Sequence, residues 1–132
     1  MWYRRLSELL PENARLYHAP MESPSECTRV VGDVLSQEYA NRQFDVIVID
    51  GLWRFQLIDV AIRALAPSGV IICDNSEGYG FFEGFRNREF SRVDFFGHAP
   101  GVAIPHCTSI FFRSSAFAFD PKFPIPVIAT EP

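Results

Sequence analysis

Residues 44–74, FDVIVIDGLWRFQLIDVAIRALAPSGVIICD, restrict the possible folds of this chain more than any other stretch. Residues 44–49 are apolar except for Asp45, and a near-continuous apolar strand of this kind is normally covered on both faces, as in a parallel sheet flanked by helices. Residues 55–65 carry apolar side chains at 55, 57, 58, 61, 62 and 65, which is helical spacing. Ala66-Pro67-Ser68-Gly69 stops that helix, because proline cannot continue it and glycine suits the turn. Residues 70–73 then form a second apolar strand. Strand, crossover helix and parallel strand make a right-handed unit. Ligands of such open sheets gather beyond the carboxyl ends of the strands. Asp50 stands at one such end and the pair Asp74-Asn75 at the other, so three oxygen-bearing side chains are expected to share one mouth of the sheet.

The remaining chain reads as further elements of one domain over residues 1–113, followed by a tail at 114–132. Residues 2–10 are spaced as a short helix with Trp2, Leu6, Leu9 and Leu10 on one side. Residues 14–19 alternate weakly and are expected as a strand. Ser23 or Ser25 caps a helix that runs to about residue 41. After Asn75, glycines at 78, 80 and 84 alternate with aromatic residues. Residues 81–88 suggest a helix, and the Gly78-Tyr79-Gly80 turn is expected near a pocket. Residues 92–96 and 108–113 read as strands joined by a long loop, 97–107, that holds His98 and His106 and is expected near the other end of the sheet. The tail carries four prolines and three phenylalanines, with an edge strand expected at residues 117–119 and extended chain beyond. Its apolar residues suggest docking on this domain or on a neighbour.

Composition removes several classes of partner. The net charge is −4, lysine occurs once, at Lys122, and no basic cluster exceeds Arg4-Arg5, so neither nucleic acid nor an anionic membrane surface is expected as a partner. No apolar run approaches the ~20 residues of a membrane span. The start of the sequence lacks the order of a secretory signal, which makes the cytoplasm the expected compartment. Cys27, Cys73 and Cys107 are odd in number and far apart, a pattern that suits packed thiols rather than disulfides or zinc ligands.

FDVIVIDG, a helix ending in LAPSGVIICDNS, then RVDFFG and TSIFFR resemble the second half of a class I S-adenosylmethionine-dependent methyltransferase, in particular the metal-dependent O-methyltransferases. The resemblance implies a Rossmann-like α/β sheet, mostly parallel with an antiparallel last strand and with helices on both faces. In that family the strand order is 3-2-1-4-5-7-6. Residues 14–19 would be its third strand, and 44–49, 70–73, 92–96 and 108–113 its fourth to seventh. It further implies S-adenosylmethionine as cofactor, with Asp50, Gly51, Trp53 and His18 as cofactor-binding residues, and Tyr79 beside the pocket. Asp50, Asp74 and Asn75 would hold a magnesium-type ion, since hard cations prefer carboxylate and amide oxygens. Such an ion would lower the pKa of a small-molecule hydroxyl and orient it for methyl transfer.

The resemblance does not cover the glycine-rich cofactor loop or the acidic strand end that holds the ribose. Trp53 stands where relatives often carry a basic residue, so no general base carries over. Arg54 is too basic to accept a proton near neutral pH and is expected to bind an anionic substrate group. The first-strand partner of residues 44–49 is also outside the resemblance. An open apolar strand edge recruits other strands, which implies either residues 14–19 beside it or a homodimer. The alternative function is then a non-catalytic methyltransferase-fold remnant that acts as an interaction module. A receiver-like signalling domain fits poorly, because RLYHAP offers no acidic pair and no lysine follows residue 73 before the tail.

Overall fold

The computed structural model describes residues 2–19, 22–98 and 100–114. Four helices and four strands follow one another as α1 (Trp2–Ser7), α2 (Pro24–Glu38), β1 (Phe44–Ile49), α3 (Arg54–Ala64), β2 (Leu65–Cys73), α4 (Phe81–Phe85), β3 (Ser91–Gly97) and β4 (His106–Phe112). The strands form one open mixed sheet in the order β1-β2-β4-β3. β1 pairs parallel with β2, while β4 is antiparallel to both β2 and β3. Three strands therefore share one direction, yet only one of the three pairings is parallel, because the reversed strand lies between β2 and β3. The tail expectations fall outside the described residues, apart from Ser114.

Local chemistry accounts for most element boundaries. Ser23 caps α2, with its hydroxyl accepting from the Glu26 N–H at 3.2 Å, and Pro24 occupies the first helical turn where its missing N–H costs nothing. β1 has the bounds expected from its apolar run. β2 is longer than expected. It begins at Leu65, directly after α3, and its register with β1 slips between the Phe44–Leu65 pair and the Val46–Val70 pair. Gly69 makes this possible, since a Cβ there would lie 2.8 Å from the Phe44 carbonyl oxygen and 3.0 Å from that of Asp45. The Ala-Pro-Ser-Gly stretch is thus an irregularity within the strand, not a separate turn.

Three expectations fail. Residues 14–19 form no strand. They pack toward α1 and α2 instead: the Tyr3 hydroxyl donates to the Leu16 carbonyl at 3.1 Å, and the Tyr17 hydroxyl donates to the Glu38 carboxylate. Hydrogen bonding to Glu38, then to Tyr39, raises the Tyr17 pKa above its ordinary value. α1 ends at Ser7, and the leucines expected to line it, Leu6, Leu9 and Leu10, are not a packed stripe, with Leu9, beyond the helix, 74% exposed.

The third failure concerns the layers. The core joins Ile58 and Ala61 of α3 and Phe81 and Phe85 of α4 to Ile49, Leu65, Ile71, Cys73 and Phe111 of the sheet. By register, Ile49, Ile71, Cys73 and Phe111 share one face. α2 packs on α3 rather than on the sheet. Among the described residues the packed helices thus cover one face only. The other face presents Val46, Val48, Val93 and Phe95 to solvent, each about half exposed. The strands are apolar on both sides as read from sequence; among the described residues the packed helices lie on one side, while on the other Val70 in the middle of the sheet is 6% exposed and the outer strands are open.

Candidate functional site

The carboxyl ends of β1 and β2 meet, as the parallel pairing requires. The Asp74 N–H donates to the Ile49 carbonyl at 3.2 Å, so Asp50 and Asp74 leave the sheet side by side. The side chains around this mouth converge on Arg54, the first residue of α3. Its Nε donates to the Gly51 carbonyl at 2.6 Å, its Nη1 to Asn75 Oδ1 at 2.9 Å and to the Asp74 carbonyl, and its Nη2 to Asp50 Oδ1 at 2.8 Å. Nη1 also lies 3.7 Å from Asp74 Oδ2. The Tyr79 ring covers the guanidinium, with the carbon 4.5 Å from the ring centroid, a cation–π distance. Thr108 of β4 completes the group by donating its hydroxyl to Asp74 Oδ1 at 3.1 Å.

The backbone here is held in rarely occupied conformations. Trp53, Asn75 and Tyr79 have positive φ angles of 58°, 50° and 57°. For residues other than glycine this costs on the order of 1–3 kcal/mol each and persists only where surrounding contacts enforce it. Gly80 follows with φ +71°, and a Cβ there would meet Phe55 at 2.8 Å. The glycine-rich turn is therefore a close-packing device that seats Tyr79 over Arg54.

The structure brings together Asp50, Gly51, Asp74, Asn75 and Tyr79, with Trp53 in the connecting turn. It does not bring His18 to them. His18 packs edge-on against Tyr3. Its neighbour Tyr17 contacts Glu38 and Tyr39, and Tyr39 packs on Phe44 at the opposite end of β1 from Asp50. Nor is Arg54 available to a substrate anion. It is 8% exposed and four acceptors hold it.

The same residue decides the fit of a metal ion. The guanidinium stands where a cation bound by Asp50, Asp74 and Asn75 would stand, and its charge already answers the two carboxylates. Among the described residues no group of three or more histidine, cysteine or acidic side chains is placed to hold an ion. The cluster as built does not fit a resident magnesium-type ion.

A second polar group adjoins the mouth and was not anticipated. β4 is antiparallel, so its beginning lies at the same end of the sheet as the close of β2. Ser76 Oγ is 2.6 Å from Ser109 Oγ, which donates to Asp94 Oδ1 at 2.5 Å, and Arg92 pairs with Asp94 at 2.9 Å. The Glu77 carboxylate receives the Cys107 N–H at 2.9 Å and pairs with His106 Nδ1 at 2.7 Å. His106, expected in the loop at the other end of the sheet, instead opens β4 at this end. The expected antiparallel last strand was the signal that placed it here, together with the polar residues Thr108 and Ser109 in an otherwise apolar strand. The buried thiol of Cys73, directly before this mouth, is pushed up to about 12 by desolvation, against an opposing effect of Arg54, so it behaves as a packed, unreactive group.

The Glu77 pair carries a pH dependence. Burial by itself would raise its pKa, but hydrogen bonds from His106 and from backbone N–H groups, with the charge of His106, hold it below the ordinary value. A depressed carboxyl pKa stabilises the fold above its unfolded value of about 4.3 and stops doing so as pH falls through the folded value. Urea midpoints measured from pH 6 down to pH 3 are expected to fall less steeply in Glu77→Gln than in the native chain.

The fold and the mouth together define an α/β domain with an open mixed sheet and a polar cluster at its strand ends. No protein-family model and no curated protein matches this chain.

Proposed function

We propose that this chain carries the second half of an S-adenosylmethionine-dependent, small-molecule O-methyltransferase-like sheet, in which the mouth formed by Asp50, Gly51, Trp53 and Tyr79 is the cofactor side of the site. The observation that supports this reading is topological. The order β1-β2-β4-β3 with β4 reversed corresponds to strands 4-5-7-6 of that family. Among the described residues β1 has no neighbour on its outer side, and it is the strand that pairs with the first strand there. Methyl transfer at such a site works by alignment of oxygen, methyl carbon and sulfur, so positioning supplies much of the rate. Asp50, 60% exposed at its side chain, is the acceptor available to a cofactor hydroxyl, while Arg54 and Tyr79 hold the loop in place.

A second reading, a non-catalytic interaction module, is favoured by a different observation. A groove of about 250 Å³ runs along the outer edge of β1, lined by Val31, Leu35, Phe44, Ile47 and Leu57 among other apolar residues. A strand edge unpaired among the described residues, beside an apolar groove, suits strand addition, in which backbone hydrogen bonds give affinity and the groove gives side-chain pockets. A second copy of this chain, pairing β1 with β1, is one such partner.

Isothermal titration with S-adenosylmethionine at millimolar ligand separates the two. The methyltransferase reading expects saturable heat that Asp50→Asn, which keeps an acceptor for Arg54, reduces about tenfold in affinity. Absence of heat, with concentration-dependent mass in light scattering, favours the interaction module.

A further inference from the structure

We propose that the cleft between α4, residues 86–90 and the start of β3 binds a small aromatic carboxylate, with Arg86 and Arg92 holding the anionic group and phenylalanine rings holding the flat body. The proposal does not rest on the methyltransferase reading. β3 begins opposite the close of β4, and β4 opens at the mouth, so Arg92 lies toward the other end of the sheet from Asp50. The cleft measures about 250–410 Å³ on the scale of small-ligand sites, with 410 Å³ as its volume. Its floor is Phe85, stacked on Phe111 at 3.9 Å and edge-on to Phe90 at 5.1 Å. Phe82, 53% exposed, stands at its rim.

Local structure brings the two arginines together. The Arg86 N–H closes α4 on the Phe82 carbonyl at 3.0 Å, and residues four apart share one side of a helix. Arg92 stands opposite Phe111 in the β3–β4 pairing and so lies on the same side of the sheet as α4. Their guanidinium carbons are 5.9 and 5.5 Å from the Phe82 ring centroid, and that of Arg113 is 4.5 Å from the Phe90 centroid. Such stacking occupies the face of a guanidinium and leaves its N–H edge for an oxyanion.

Charge selects the ligand. Between residues 86 and 113 four arginines stand against two carboxylates, in a chain whose net charge is −4. Arg88 is taken by Asp59 at 2.6 Å, a contact that ties the turn to α3 and helps enforce its left-handed residues, Asn87 and Glu89, at φ 64° and 57°. Arg92 pairs with Asp94, which already accepts from Ser109. Among the described residues Arg86 has no carboxylate partner, and Glu89, which lines the cleft, pairs with no arginine. Arg86, Arg92 and Arg113 thus face Asp94 and Glu89 with one positive charge left over, which suits a monoanionic carboxylate better than a dianionic phosphate.

The test titrates the full chain, isotope-labelled at arginine, with benzoate at constant ionic strength. Saturable shifts in the millimolar range are expected at the Arg86 and Arg92 Nε–H signals and at the Phe82 ring. Acetate, which lacks the ring, and inorganic phosphate are each expected to bind about tenfold more weakly than benzoate. Arg86→Gln is expected to lower benzoate affinity about tenfold, while Arg4→Gln, on α1, leaves it unchanged. Absence of saturable shifts, shifts spread equally over all exposed arginines, or equal affinity in Arg86→Gln overturns the site. Phosphate binding as tight as benzoate overturns the assignment of an aromatic carboxylate.

Discussion

Arg54→Met is expected to unfold at a free energy about 3 kcal/mol lower than the native chain, measured by urea denaturation at neutral pH. Methionine matches the aliphatic stem, so the loss isolates the guanidinium. Four acceptors from two strand ends lose their common donor: the Gly51 and Asp74 carbonyls, Asn75 Oδ1 and Asp50 Oδ1. Hydrogen bonds from a charged donor contribute more than neutral ones. The loss stays below the sum of four such bonds, because the Asp50 and Asp74 carboxylates are 60% and 41% exposed and recover hydration once released. Arg54→Lys recovers only part of it, since an ammonium lacks the fork that reaches both strand ends. A midpoint within the error of the native value would mean that the guanidinium is not the centre of the mouth.

Phe81→Ala is expected to cost about 4 kcal/mol, the range for truncating a fully buried aromatic residue. Phe81 is 0% exposed and opens α4, the five-residue helix that the core holds through Phe81 and Phe85. A helix this short has no stability of its own. Its place depends on that anchor, on the stacking of Phe85 with Phe111 at 3.9 Å, and on Gly84, whose missing Cβ lets Ile58 approach. The effect reaches the mouth because Tyr79 and Gly80 lead directly into α4. Loss of Phe81 is therefore expected to change the environment of Tyr79, which tyrosine fluorescence and ring chemical shifts report. Unchanged stability would show that α4 is not part of the core.

What the sequence disclosed follows from how local the controlling interactions are. β1, the helix after it and the polar residues at the strand ends were legible, because apolar runs, helical spacing and strand-end chemistry act within a few residues. The cap at Ser23 was legible for the same reason. Residues 14–19 were misread, because weak alternation is also compatible with an irregular segment, and the bonds of Leu16 and Tyr17 to α1 and α2 decide between them. The role of Arg54 needed three dimensions. Its position four residues after Asp50 was visible, but its distance from Asn75 depends on the parallel pairing of β1 with β2. The packing of the described helices on one face was hidden for a different reason. Apolar patterning shows that a face must be covered, and it does not show what covers it.

A double-mutant cycle between Arg54→Met and Asn75→Gly tests the shared mouth most directly, because these residues follow different strands and glycine accepts the positive φ at position 75. The structure predicts a coupling of about 1 kcal/mol, so that the two losses overlap when combined. Losses that add to within about 0.3 kcal/mol would contradict it, because side chains on separate rims of the sheet have no bond in common.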